Sequence, residues 1–244
     1  VRLKLLARII KPLLIFFREH SPANDFDANI RKLTEYDRLV FLNMQNWTAW
    51  AAAKRFVTKH RYSDGFYTHV VLIDDDIIFD IDTLDLMLQR VKSYNYPVVS
   101  ADATDDAGTH YYQSNKIAPP AKDRASRVIT FADGNTDVPI IKVSWTRCQL
   151  MIIRSDLVVN TLSFRNDSIY TGLTDAEGLD PSTVIANELY EAGIDQYLDT
   201  YSQVHIKPDS VIGRYYVTDQ WNAYFARKGT DLNIWQVNMN PTVF

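Results

Sequence analysis

Four β-favouring residues, Val70-Val71-Leu72-Ile73, run straight into three carboxylates, Asp74-Asp75-Asp76. An unbroken apolar run of this kind is the pattern of a strand buried on both faces. The acids mark its end, because three adjacent like charges repel one another and lose solvation when buried. A chain carries such a cluster either as a solvated strand-end turn or with a cation among the carboxylates. A hard divalent ion such as Mg2+ or Mn2+ prefers oxygen ligands and often shares them with a phosphate.

The rest of the chain alternates in the same style. Pro12 closes a short apolar and basic helical stretch, and Leu13 to Phe17 reads as a first strand. A short helix is expected over Asp25 to Leu33 and a second strand over Arg38 to Leu42, ending at Asn43. Thr48 to His60 is alanine-rich and helical, and carries Lys54 and Arg55. After the His69–Ile73 strand, Asp82 to Tyr94 places Leu84, Met87, Leu88 and Val91 on one helical face, with Asp82 or Thr83 as the cap. Pro97 to Ala101 is a fourth strand, and residues 102–137 read as long loops with room for a hairpin. Further strands are expected at Ile140 to Val143, Cys148 to Ile153 and Tyr201 to Ile206, with Trp145 between the first two. Asp180-Pro181 opens a helix that Gly193 ends.

This alternation predicts an α/β fold: a mainly parallel central sheet with helices on both faces, in a single domain. In such sheets the ligand crevice lies beyond the carboxyl ends of the strands. Arg18, Asn43 and Asp74 to Asp76 all fall at those ends. We divide the 1–244 domain into a first half (13–101), a second half (102–212) and an aromatic-rich tail (213–244) expected to pack onto the domain.

Composition excludes several classes. The net charge of -4 provides no global attraction to nucleic acid. No apolar run approaches the roughly 20 residues of a spanning helix. Cys148 is the sole cysteine, which rules out an intrachain disulfide and fits a reducing, cytoplasmic compartment, with membrane association left to a segment outside this sequence. His20, His60, His69 and His110 form no ligand spacing and read as structural or exposed.

The order of elements resembles the GT-A glycosyltransferases, Rossmann-like enzymes that use nucleotide sugars. Asp74-Asp75-Asp76 resembles the DxD motif of that family, and Asn43 to Arg55 resembles the asparagine and alanine-rich helix after its second strand. Cys148 to Arg154 resembles the strand after the acceptor-side loop, and Asp180 to Gly193 the helix that precedes a histidine-bearing strand, here with His205. The resemblance covers residues 13 to 207. Two places depart from the family pattern. Arg18-Glu19-His20-Ser21-Pro22 lacks the threonine or tyrosine motif, and Pro181-Ser182 stand where a Glu-Asp pair is usual.

The resemblance implies transfer of a sugar from a nucleoside diphosphate, a UDP-sugar first of all, to a glycan or other hydroxyl acceptor, with Mn2+ or Mg2+ as cofactor. It implies Asp76, His205 and Asp74 as candidate metal ligands. Phe17, Arg18, Asn43, Lys54, Asp74 and Asp75 are implied on the donor, and Trp145 at the acceptor. The base is open among Asp180, Glu177 and Asp175; Asp180 is also a helix cap. Two other functions compete. A sugar-phosphate nucleotidyltransferase wants an early Gly-rich loop, but none of the eight glycines precedes Gly65. A non-catalytic metal- or sugar-binding module would need no base at all.

Overall fold

The strand that ends in the acidic triplet lies inside a ten-stranded sheet. In the computed structural model the described residues are 10–18, 33, 35–42, 46–60, 66–74, 77–104, 112–114, 140–146, 148–163, 181–206 and 222–226. The helices expected before Pro12 and over 25–33, apart from Leu33, fall outside them.

Strand β1 (Pro12–Arg18) lies between β2 (Asp37–Leu42) and β3 (His69–Asp74), parallel to both. Helix α1 (Asn46–His60) follows β2, and the two-residue β4 (Ile77–Ile78) follows β3. Helix α2 (Ile81–Tyr94) leads to β5 (Val98–Thr104). Then come β6 (Tyr112–Ser114), β7 (Ile140–Thr146) and β8 (Leu150–Arg154). The short α3 (Ser155–Asn160), α4 (Pro181–Glu191), β9 (Gln196–Ile206) and β10 (Asn222–Ala226) complete the described elements. The sheet order is β10-β2-β1-β3-β8-β5-β9-β7-β6, with β4 paired to β9.

Alternation along the central strands splits the core in two. Leu13, Ile15 and Phe17 join Val70, Leu72, Met151 and Ile153 against Trp50 and Val57 of α1, Leu157 of α3 and Ile185 of α4. Leu14, Phe16, Val71, Ile73, Leu150 and Ile152 face the other way, onto Leu84, Met87, Leu88 and Val91 of α2. The stripe read from the sequence is therefore the buried face of α2. Its cap differs: the N-cap position is Asp80, without a side-chain capping bond, and the helix ends at Asn95 in the left-handed conformation (φ 57°). The Asn95 N–H closes that turn on the Val91 carbonyl.

The expected mainly parallel, Rossmann-like sheet is not what the chain builds. Only β1/β2, β1/β3 and β5/β9 are parallel; the other pairings between described strands are antiparallel. The result is a mixed sheet curled into a half-barrel, with more strand than helix. The decisive element is β8, which enters antiparallel between β3 and β5. It is buried on both faces, so its sequence is a continuous apolar run whichever way it points. Two shorter differences follow. Trp145 lies within β7 rather than between strands, and part of the C-terminal tail forms the edge strand β10 along β2.

His69 opens β3 and is buried, so the expectation of a structural or exposed ring resolves to a buried one. Burial, and then the nearby Arg154 charge, lower its pKa from 6.5 to about 4, against a smaller opposing pull from Asp156. Between those values the unfolded chain binds the proton and the folded chain does not. Stability from this residue is therefore complete above pH 6.5 and declines as the pH falls toward 4, by on the order of 3 kcal/mol. Urea denaturation at pH 7 and pH 4.5 should show the decline, and His69→Phe should remove that part of it.

Candidate functional site

The three parallel strands β1, β2 and β3 finish side by side. Phe17 is level with Phe41 on one side and with Asp74 on the other. Residue alternation puts Asp74 on the face that carries Phe17, Val70 and Leu72. The Phe17 ring stacks on Trp50 of α1, with centroids 4.7 Å apart and planes 6° from parallel, and lies alongside Phe41 at 5.9 Å. At 3% exposure Phe17 fastens α1 to the strand ends beneath the surface. Asp74 is half-buried, and its backbone N–H donates to the Gln149 carbonyl at 2.9 Å. That bond carries the β3/β8 ladder to the last residue before the acidic pair.

Other donor-side candidates are placed less completely. Arg18 is the last residue of β1, level with Leu42; its side chain lies outside the described residues, as do Asn43, Asp75 and Asp76. Lys54 sits midway along α1, where its ammonium donates to the Leu162 carbonyl just beyond α3. Its charge also favours the ionised form of Glu188.

Asp75 and Asp76 are the two residues between the end of β3 and the start of β4. Strand β4 then pairs with β9, Ile77 opposite Ile206 and Ile78 opposite His205. His205 is also level with Thr104 at the end of β5. The chain that leaves the third strand is thus tied directly to the strand bearing the histidine. In sheet order, β8 and β5 stand between β3, which ends at Asp74, and β9, which carries His205. Among the described residues no three His, Cys, Asp or Glu side chains gather as a metal site.

The level of His205 depends on two residues that the sequence reading did not single out. Opposite the β5 step from Ala101 to Asp102, β9 passes from Asp199 to Gln203, so Thr200, Tyr201 and Ser202 form a bulge. Asp199 is fully buried there. Its carboxylate takes an ion pair from Arg90 of α2, the Ser202 hydroxyl at 3.0 Å and the Tyr201 N–H at 3.2 Å. The Arg90 guanidinium also lies over the Tyr201 ring, 5.7 Å from its centroid. The sequence signal was an aspartate directly after Tyr197 and Leu198, three residues past Gln196 where β9 begins.

On the acceptor side, Trp145 is level with Gln113 of β6, and its side chain lies outside the described residues. Asp175, Glu177 and Asp180 lie outside them as well; α4 begins at the next residue, Pro181. A different carboxylate is placed firmly. Glu188 of α4 is buried and accepts bonds from the Ser163 N–H, at 2.9 Å, and from the Ser163 hydroxyl. Burial pushes its pKa up, while Ser163 and the Lys54 charge pull it back. It ties the end of α3 to α4.

No protein-family model matches the chain, and no curated protein matches it in sequence. Among solved structures it is similar to GalNAc-T7 in a crystal structure with UDP, GalNAc and Mn2+, at a TM-score of 0.50 and 10% identity. That likeness covers 86% of this chain but 46% of that one, so the chain spans a little under half of the GalNAc-T7 chain. It is also similar to A197 from STIV, at a TM-score of 0.45 and 8% identity, covering 88% of this chain and 85% of that one. At such identity the GalNAc-T7 likeness speaks for the fold alone, and the fold it supports is a GT-A-like one.

Proposed function

We propose that this chain is a glycosyltransferase that moves a sugar from a nucleoside-diphosphate donor, a UDP-sugar, to an acceptor hydroxyl with the help of Mn2+ or Mg2+. One observation carries the reading: the acidic triplet bridges the end of β3 to β4, and β4 pairs with β9 at His205. The GT-A-like fold supports it, since GalNAc-T7, a protein of similar fold, has a structure with UDP, GalNAc and Mn2+.

The chemistry of the donor set fits such an ion. Carboxylate oxygens suit Mg2+ and Mn2+, and imidazole suits the transition metal. Asp76 and His205 would hold it, because the chain from Asp76 leads straight into the strand paired with His205. A divalent ion at this place would offset the negative charge that develops on the leaving diphosphate. Asp74 is assigned to the ribose or to a water on the ion, Asp75 to the donor sugar, and Arg18 and Asn43 to the nucleoside. The bond from the anomeric carbon to the diphosphate oxygen breaks, its electron pair leaving with UDP. The acceptor oxygen forms the new bond and gives its proton to a carboxylate, Asp180 first, with Glu177 and Asp175 as rivals. Trp145 is assigned to the acceptor side as a surface for a sugar ring.

A panel of nucleotide sugars, assayed for release of the free nucleotide with Mn2+ and with chelator, tests the reading. Metal-dependent release from one UDP-sugar is the expected outcome. No binding and no turnover of any nucleotide sugar would sink it.

A further inference from the structure

Glu188 joins the two places where the described chain leaves and re-enters around the candidate bases. The chain leaves at Ser163 and resumes at Pro181, and Asp175, Glu177 and Asp180 fall between. Two turns into α4, the Glu188 carboxylate accepts the Ser163 N–H at 2.9 Å and the Ser163 hydroxyl. One residue earlier, the Leu162 carbonyl accepts the Lys54 ammonium of α1. Helix α1 itself begins at Asn46, just beyond Asn43. These bonds therefore tie the helix behind the nucleoside side to the helix that opens one residue after Asp180.

Packing does not explain a carboxylate at this position. Ile185 and Leu189 of the same helix are fully buried in the core that holds Leu162, and Glu188 itself is 9% exposed. Burial opposes its ionised form, and the Ser163 bonds and the Lys54 charge restore it. A leucine would fill such a place at least as well, because a buried charge rarely adds net stability over an apolar residue of similar size. What leucine lacks is direction. Two bonds from one serine to one carboxylate fix how the end of α3 meets α4, not merely that they touch.

We propose that Glu188 is a positioning residue for the transfer step: by holding Ser163 against α4, it fixes the place from which the base, Asp180 first, reaches the acceptor hydroxyl. This role rests on the transferase reading. It acts on proton removal, which needs hydrogen-bond reach, and leaves the donor and its ion untouched. A misplacement of about 1 Å at a reacting group costs on the order of 100-fold in rate.

Metal-dependent release of UDP from a UDP-sugar, with water as acceptor, gives kcat and the donor KM, and calorimetry with Mn2+ gives UDP affinity. Glu188→Leu should lower kcat by ~10- to 100-fold and leave the donor KM and UDP affinity unchanged. Glu188→Gln keeps an oxygen for the Ser163 N–H and an amide that donates to the Ser163 hydroxyl, so it should recover most of that loss. Unchanged kcat in Glu188→Leu, UDP affinity that falls together with kcat, or a glutamine variant as slow as the leucine one would overturn the proposal. Where Glu188→Leu fails to fold, Ser163→Ala removes the hydroxyl bond alone and should show the same split at smaller size; unchanged kcat there would overturn it too. A wild-type chain that turns over no UDP-sugar sinks the transferase reading and this role with it, whereas full turnover by Glu188→Leu sinks this role alone.

Discussion

Replacing Arg90 of α2 with methionine is expected to lower the stability of the folded chain by about 3–5 kcal/mol, a large effect for a single side chain. Asp199 is fully buried inside the β9 bulge, and the Arg90 guanidinium is the cation paired with it. Without it a fully buried carboxylate keeps, among the described residues, the Ser202 hydroxyl and the Tyr201 N–H as its partners. The penalty comes from the charge left behind rather than from the worth of the pair. Arg90→Met combined with Asp199→Asn should therefore lose less than Arg90→Met alone, since the amide oxygen still accepts the Tyr201 N–H and the amide NH2 can donate to the Ser202 hydroxyl, with no charge to solvate. Urea midpoints for the single and double variants measure this. A loss below ~1 kcal/mol for the single variant, or simple additivity in the double, would show that the pair does not hold the bulge. The consequence reaches the proposed site, because the bulge sets the level at which His205 meets Thr104 and Ile78.

Much of the local structure was legible in the residues, and most of the arrangement was not. β3 was evident because a strand buried on both faces leaves no polar position until it ends. The α2 stripe was evident because Leu84, Met87, Leu88 and Val91 repeat at helical spacing. Strand direction leaves no such mark. Leu150 to Ile153 alternate between the two cores, and an antiparallel strand there needs the same residues as a parallel one. The bulge at 200–202 was invisible for another reason: it rests on an ion pair between residues 109 apart. The β9 strand was accordingly expected to begin at Tyr201, whereas it begins at Gln196. As for the candidate site, the sequence located the strand ends, since those follow from where apolar runs stop. Which ends converge is a matter of sheet order, and that order separates Asp74 from His205 while β4 draws the chain after Asp76 toward it.

The second large effect concerns that link. Asp76→Asn keeps the shape of the side chain and removes its charge, so the strand pairing on either side has no reason to change. Loss of a direct ligand should cost more than the ~10–100-fold typical of residues that merely support one. His205→Ala should weaken metal-dependent binding in the same direction, and Asp156→Asn, at the other end of β3, should not.

Calorimetric titration of UDP into the wild-type chain and into Asp76→Asn, with Mn2+ and with chelator, tests the central claim most directly. The account predicts UDP binding that requires Mn2+ in the wild-type chain and is lost in Asp76→Asn, with thermal unfolding in the absence of ligand unchanged. UDP binding of equal strength in both chains, or binding indifferent to Mn2+, would contradict it.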